Sequence, residues 1–82
     1  MTPQQIQNLI VSLFKEKESF KDIGLDEDYF DLGVSSLTIV GLQIQVEEQL
    51  GVNLSTRDLM LLSTINQWVQ AYTAKCEELT SA

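Results

Sequence analysis

Two adjacent hydroxyls, those of Ser35 and Ser36, lie where a loop rich in Asp and Gly meets a long apolar helix pattern. The amides in the first turn of a helix lack intrahelical partners, and the helix dipole places partial positive charge there. A hydroxyl at that junction is expected to be exposed and suits a phosphate ester. The chemistry that Ser36 favours is therefore the attachment of a phosphate-linked group that can carry a cargo.

The composition argues against chemistry performed by the chain itself. There is no His and a single Cys, Cys76, so the usual general base, an internal disulfide and a zinc-ligand set are all absent. The acidic run at residues 26–28 does not match a calcium-binding EF-hand loop, because the fifth and sixth positions are Phe30 and Asp31. We therefore expect neither an enzyme nor a metal site.

Length and charge limit the classes of protein to which this chain can belong. The chain has 82 residues, with 12 Asp and Glu against 5 Lys and Arg and a net charge of -7. This length fits one small domain spanning residues 1–82. The acidity argues against nucleic acid and an anionic membrane as partners, because both bind basic surfaces. It favours partner proteins that present basic patches.

The ends of the chain and its hydropathy predict a compartment and an assembly state. No signal pattern or apolar run of membrane-spanning length is present, so a cytoplasmic protein is expected. A starting Met and the absence of linker residues favour a free-standing monomer over a domain cut from a synthase.

Helical periodicity predicts an all-α fold of four helices, one of them short. The first runs from about Pro3 to Lys17, with Thr2 as its N-cap. A long loop over residues 18–35 follows, and its apolar residues are expected to be pinned to the core: Phe20, Ile23, Leu25, Tyr29, Phe30 and Leu32.

The second helix is predicted over residues 36–50, with two apolar rows and Gly51 as a left-handed stop. Gly41 weakens this helix, and close approach of another backbone would explain it. Ser55 is expected to cap a short third helix that ends within residues 59–62, and Ser63 or Thr64 a last one. Core packing is expected along the last helix at Trp68, Val69, Tyr72 and Cys76.

The segment Asp31-Leu32-Gly33-Val34-Ser35-Ser36-Leu37 resembles the attachment motif of acyl carrier and peptidyl carrier proteins. The resemblance covers most of the chain, including Asp-Tyr-Phe-Asp-Leu-Gly in the loop and Leu50-Gly51-Val52. It implies a four-helix bundle in which Ser36 carries 4′-phosphopantetheine, derived from coenzyme A, through a phosphodiester. The arm would hold an acyl or aminoacyl cargo as a thioester.

The resemblance also implies partners. These are a phosphopantetheinyl transferase, a loading enzyme (an adenylation enzyme or an acyltransferase), and downstream synthase or tailoring enzymes. The residues that we predict to contact them are Leu37, Val40, Gly41, Glu47, Glu48, Met60 and Leu61. For Met60 and Leu61, packing in the core is the alternative, and the sequence favours it.

Two departures from the family pattern bear on these predictions. Acyl carriers usually have Asp before the attachment serine, and here it is Ser35, so two registers are open. The positions of Gly33 and Leu37 favour Ser36, and Ser35 then suits the helix N-cap.

The second departure lies along the second helix. Thr38 and Gly41 replace acidic residues of fatty-acid carriers, which favours secondary metabolism of the polyketide or nonribosomal peptide type.

The alternative function is a non-catalytic acidic helical interaction module in which Ser36 is only a cap.

Overall fold

The computed structural model describes residues 2–80, without the side chains of residues 79 and 80. Helix α1 spans Pro3–Lys15, α2 Ser36–Leu50, α3 Thr56–Met60 and α4 Ile65–Thr80. A single turn of 3-10 helix, Glu18–Phe20, lies in the first loop, and no strand occurs within the described range. The predicted all-α bundle with a long first loop and a short third helix is confirmed.

Each helix begins at the type of residue that satisfies its first amides. Thr2 and Gln5 form a capping box, with the Gln5 amide 3.2 Å from Thr2 Oγ1 and the Thr2 amide 2.9 Å from Gln5 Oε1. Thr64 and Gln67 form the same pair of reciprocal hydrogen bonds before α4. Of the two predicted caps, Ser63 and Thr64, the structure therefore has Thr64. Ser55 caps α3, as expected.

The first helix ends at Lys15, two residues before the predicted Lys17. Lys17 has extended backbone torsions, φ -85° and ψ 135°, so it cannot continue the helix. The turn is fastened by the Lys15 ammonium, which donates hydrogen bonds to the carbonyls of Lys21 and Ile23. The earlier end of the helix thus coincides with hydrogen bonds from Lys15 to the first loop.

The core forms between α1, α2, α4 and the first loop. Helix α2 contributes only one of its two apolar rows, the one that includes Ile39, Leu42 and Val46. The other buried apolar side chains are Ile6, Ile10, Phe14, Phe20, Ile23, Tyr29, Val52, Leu59, Ile65, Trp68 and Tyr72. Val69 and Cys76 are partly buried and pack against this core.

The long first loop is pinned to the bundle chiefly through Tyr29. Its amide donates to the Ser63 carbonyl at 3.0 Å, and its hydroxyl donates to the Leu62 carbonyl at 3.1 Å. The same hydroxyl accepts a hydrogen bond from Trp68 Nε1 at 2.7 Å. The loop was predicted to be pinned, and it is, but Phe30 and Leu32 remain exposed.

The two tyrosines make the fold sensitive to high pH. Burial raises the pKa of Tyr29 to about 12, although its hydrogen bond with Trp68 opposes this. Burial, together with the hydrogen bond to Glu47 and the negative charge of that carboxylate, raises the pKa of Tyr72. Above about pH 10 the unfolded chain releases phenolic protons that the folded chain retains, so the free energy of unfolding falls as pH rises.

We therefore expect the ultraviolet absorbance of phenolate to appear together with loss of the helical circular dichroism signal in an alkaline titration. The chain has 2 Tyr, both buried, so the absorbance reports only these groups. Phenolate absorbance that rises near the usual tyrosine pKa while the helices persist would contradict this expectation.

Candidate attachment site

Ser35 fixes the start of α2. Its backbone is extended, with φ -80° and ψ 154°, and its Oγ accepts a hydrogen bond from the Thr38 amide at 3.3 Å. The Thr38 hydroxyl lies 3.1 Å from the same Oγ. Ser35 is therefore the N-cap, as predicted, and its oxygen is engaged by the helix that it starts.

Ser36 is the first residue of α2 and is exposed. Among the hydrogen bonds of residues 2–80, none engages the Ser36 hydroxyl, and none uses the amides of Ser36 or Leu37. Amides at a helix start that lack acceptors suit an anion. Of the two adjacent hydroxyls, the one at Ser36 is thus open to modification.

The turn before the two serines depends on Gly33 and Asp28. Gly33 has a φ of +83°, which favours glycine, and its amide donates to the Phe30 carbonyl at 3.1 Å. Asp28 Oδ1 accepts hydrogen bonds from the Phe30 and Asp31 amides at 2.8 and 3.3 Å. A Cβ at Gly33 would meet no atom within 4 Å, so this turn also leaves open space beside the site.

Helix α2 turns its second apolar row to solvent. Leu37 is 83% exposed and Ile44 is 56% exposed, while Val40 and Gly41 are half-buried between them. Close approach of another backbone does not explain Gly41, because a Cβ there would meet nothing within 4 Å. No charged residue occurs in α2 before Glu47, so the row from Leu37 to Ile44 is an uncharged apolar face.

Met60 and Leu61, for which the sequence favoured core packing over a partner contact, differ in burial in the structure. Met60 is partly buried and packs against the core, as the sequence favoured. Leu61 is 78% exposed, so core packing is wrong for it. The buried residue of α3 is Leu59, and its contact with the core orients this short helix.

Glu47 departs from the expectation that it faces a partner. Its Oε2 accepts hydrogen bonds from the Leu54 amide at 2.9 Å, the Tyr72 hydroxyl at 3.0 Å and Gln43 Nε2 at 3.2 Å. Gln43 is buried and also donates to the Leu54 carbonyl and accepts from Thr56. The carboxylate thus joins α2, the chain before α3, and α4, and we remove Glu47 from the partner surface.

Replacing Glu47 with Ala is expected to destabilise the fold by about 1–3 kcal/mol, because three partly buried donors lose their acceptor. The neighbouring Glu48 is exposed, so Glu48→Ala is the matched control and should change stability by less than about 0.5 kcal/mol. Urea unfolding followed by circular dichroism measures both. Equal losses in the two variants would contradict the structural role of Glu47.

Residues 2–80 contain neither a metal-ligand cluster nor a membrane-spanning helix. No cluster of three or more potential metal-ligating side chains occurs there. None of the described helices is long and apolar enough to cross a membrane.

Comparison with known proteins decides the family. Residues 4–72 match the family described as phosphopantetheine attachment site. The chain belongs to this carrier family. Its cofactor is 4′-phosphopantetheine, which such domains hold covalently. The exposed Ser36 hydroxyl, beside two amides that no group of residues 2–80 engages, fits a phosphate-linked group.

A curated relative agrees with this membership. The carrier is 38% identical over 64 residues to a dimodular nonribosomal peptide synthase of Bacillus subtilis (strain 168), a match covering 78% of the carrier. The carrier spans only 3% of the length of that synthase. No solved structure matches the carrier significantly.

Proposed function

We propose that Ser36 carries the 4′-phosphopantetheine arm and that the carrier delivers acyl or aminoacyl groups to partner enzymes. The observation that carries this proposal is the contrast between the two hydroxyls at the start of α2. Ser35 Oγ accepts the Thr38 amide, whereas the Ser36 hydroxyl is exposed and engaged by no group among the described residues.

In the proposed reaction the chain contributes only the Ser36 oxygen. The Ser36 oxygen would give up its proton and bond to the phosphorus of the phosphopantetheine unit, while the pyrophosphate bond of coenzyme A breaks and adenosine 3′,5′-bisphosphate leaves. The Ser36 and Leu37 amides and the helix dipole favour the resulting negative charge by about 0.3–1 kcal/mol. The arm supplies the thiol that holds the cargo, so no catalytic side chain is required here.

The proposed partner surface consists of Leu37, Val40, Gly41, Ile44 and Glu48 on α2, together with Leu61 and the part of Met60 that the core leaves uncovered, both at the end of α3. Its exposed members are mainly apolar, which suits partners that present apolar side chains. We propose that a phosphopantetheinyl transferase, an adenylation enzyme or acyltransferase, and downstream synthase or tailoring enzymes dock here. Ile44 is an addition to the predicted set.

The biosynthetic setting is also a proposal. The name of the curated relative favours nonribosomal peptide synthesis over polyketide synthesis, and the uncharged start of α2 agrees with secondary metabolism. A single domain over residues 1–82, a monomeric state and a cytoplasmic location remain predictions. They can be tested by proteolysis, light scattering and fractionation.

Intact-mass spectrometry tests the proposed function. The chain is incubated with coenzyme A and a broad-range phosphopantetheinyl transferase, and a reaction without coenzyme A is the control. We expect the mass of one arm to be added. A folded chain that gains no mass would refute the proposal and leave the interaction module as the better account.

A further inference from the structure

The outer face of α3 carries a positive charge on an otherwise acidic part of the molecule. Arg57 is the only Lys or Arg between Lys21 and Lys75, and it is exposed. No hydrogen bond or ion pair engages its guanidinium within residues 2–80. Asp58 follows it in the chain, but consecutive residues of a helix do not face each other. The Arg57 charge is therefore available to another molecule.

The burial of Leu59 determines which way the Arg57 side chain points. A helix turns by about 100° per residue, so the positions two residues before and after Leu59 lie on the side opposite to it. These positions are Arg57 and Leu61, and Leu61 keeps helical torsions and is 78% exposed. Because they are four residues apart, their side chains are neighbours on the helix surface. The outer face of α3 thus pairs a guanidinium with an exposed apolar side chain.

Contacts at both ends of α3 fix its place beside the attachment site. At its start, the Thr56 hydroxyl donates to Gln43 Oε1 at 3.1 Å, which holds this end against the middle of α2. After its end, the Leu62 carbonyl accepts from the Tyr29 hydroxyl at 3.1 Å, so the first loop lies there. Residues 26–31 of that loop include four Asp and Glu and no cation. Negative charge thus lies at one end of α3 and an unpaired cation at the other.

We propose that Arg57 determines which enzymes dock on this carrier, by pairing with a partner carboxylate that lies beside an apolar pocket for Leu61. The partner is the adenylation enzyme that loads the arm, so this inference rests on the proposed function. The net charge of -7 repels a carboxylate over most of the carrier surface, and the pair with Arg57 therefore fixes the orientation of the docked enzyme. Two parallel hydrogen bonds from a guanidinium to a carboxylate add geometric selectivity.

Phosphate is the other group that a guanidinium binds, and the transferase brings the phosphates of coenzyme A to Ser36. Gln43, which contacts the start of α3, lies seven residues after Ser36, a rise of about 10 Å along α2. An enzyme that holds coenzyme A also neutralises its phosphates with cations, which Arg57 repels. We therefore expect loading to depend on Arg57 and arm addition to be independent of it.

Loading rates test the inference. Arg57→Gln removes the charge and keeps a polar side chain, and Asp58→Asn, also at an exposed position of α3, is the matched control. Each arm-bearing chain is charged with a radiolabelled amino acid by an adenylation enzyme that loads the wild type. We expect kcat/KM to fall about five- to tenfold in Arg57→Gln, through KM, and to stay within about twofold in Asp58→Asn. Circular dichroism verifies that both variants are folded.

Arg57→Lys should recover part of the loss, because it keeps the charge without the paired N–H groups. Wild-type loading of Arg57→Gln would overturn the inference, and so would an equal loss in Asp58→Asn. A fall in arm addition with a higher KM for coenzyme A would show that Arg57 binds phosphate instead. A wild-type chain that accepts no arm refutes the proposed function itself, whereas normal arm addition with unchanged loading refutes only this inference.

Discussion

Replacing Ser36 with Ala is expected to abolish addition of 4′-phosphopantetheine, because the variant lacks the hydroxyl that would form the phosphodiester. Stability should change little, since the Ser36 side chain makes no hydrogen bond within the described residues and is exposed. Intact mass after incubation with coenzyme A and a transferase measures the first effect, and urea unfolding measures the second.

The matched control is Ser35→Ala, which should show the opposite pattern. It removes the acceptor of the Thr38 amide and should cost about 0.5–2 kcal/mol of stability as a lost N-cap, while the arm is still added. Loss of arm addition in Ser35→Ala with normal addition in Ser36→Ala would show that the register is shifted by one residue.

Replacing Tyr29 with Ala is expected to cause the largest loss of stability, about 3–5 kcal/mol, as for other large aromatic side chains removed from a core. Tyr29 is fully buried and contacts the Phe14, Phe20 and Phe30 rings. Its loss would release the loop that leads to Ser35 from the α3–α4 connection. Urea unfolding followed by circular dichroism measures the change, and a variant that fails to fold meets the expectation.

Tyr29→Phe separates the hydroxyl from the ring. The variant keeps the packing but leaves Trp68 Nε1 without its acceptor, so a loss of about 1–3 kcal/mol is expected. Leu32→Ala, in the same loop at an exposed position, is the control and should change stability by about 0.5 kcal/mol or less. A Tyr29→Phe variant as stable as the wild type would show that this hydrogen bond does not fasten the loop.

Local sequence signals predicted the parts of this fold that local physics determines. The Thr2 and Ser55 caps, the Ser35 N-cap and the left-handed Gly51 all follow from side-chain and backbone preferences at helix ends. The span of α2 was right for the same reason. The end of α1 was misplaced because Lys17 is extended and Lys15 bonds to the first loop, and helical periodicity indicates neither.

Which face of α2 is buried depends on the rest of the bundle. Both apolar rows have helical spacing, so periodicity alone could not show that Ile44 lies outside, whereas Leu37, next to Ser36, was expected to be exposed. A close backbone neighbour was only one possible explanation of Gly41, and the structure has no such neighbour.

The role of Glu47 was missed because the donor from α4 is distant in sequence. Tyr72 lies 25 residues away, and no local pattern links the two. The only sequence signal was Gln43, a polar residue four positions earlier on a helix that is otherwise mostly apolar. A buried polar residue of this kind generally has hydrogen-bonding partners, which would have suggested a structural network.

The central claim is that the arm is attached at Ser36. The most direct measurement is fragmentation mass spectrometry of the modified chain after proteolysis, with fragments that separate Ser35 from Ser36. We expect the mass of 4′-phosphopantetheine on Ser36 alone. Finding it on Ser35, or on any other residue, would show that Ser36 is not the attachment site.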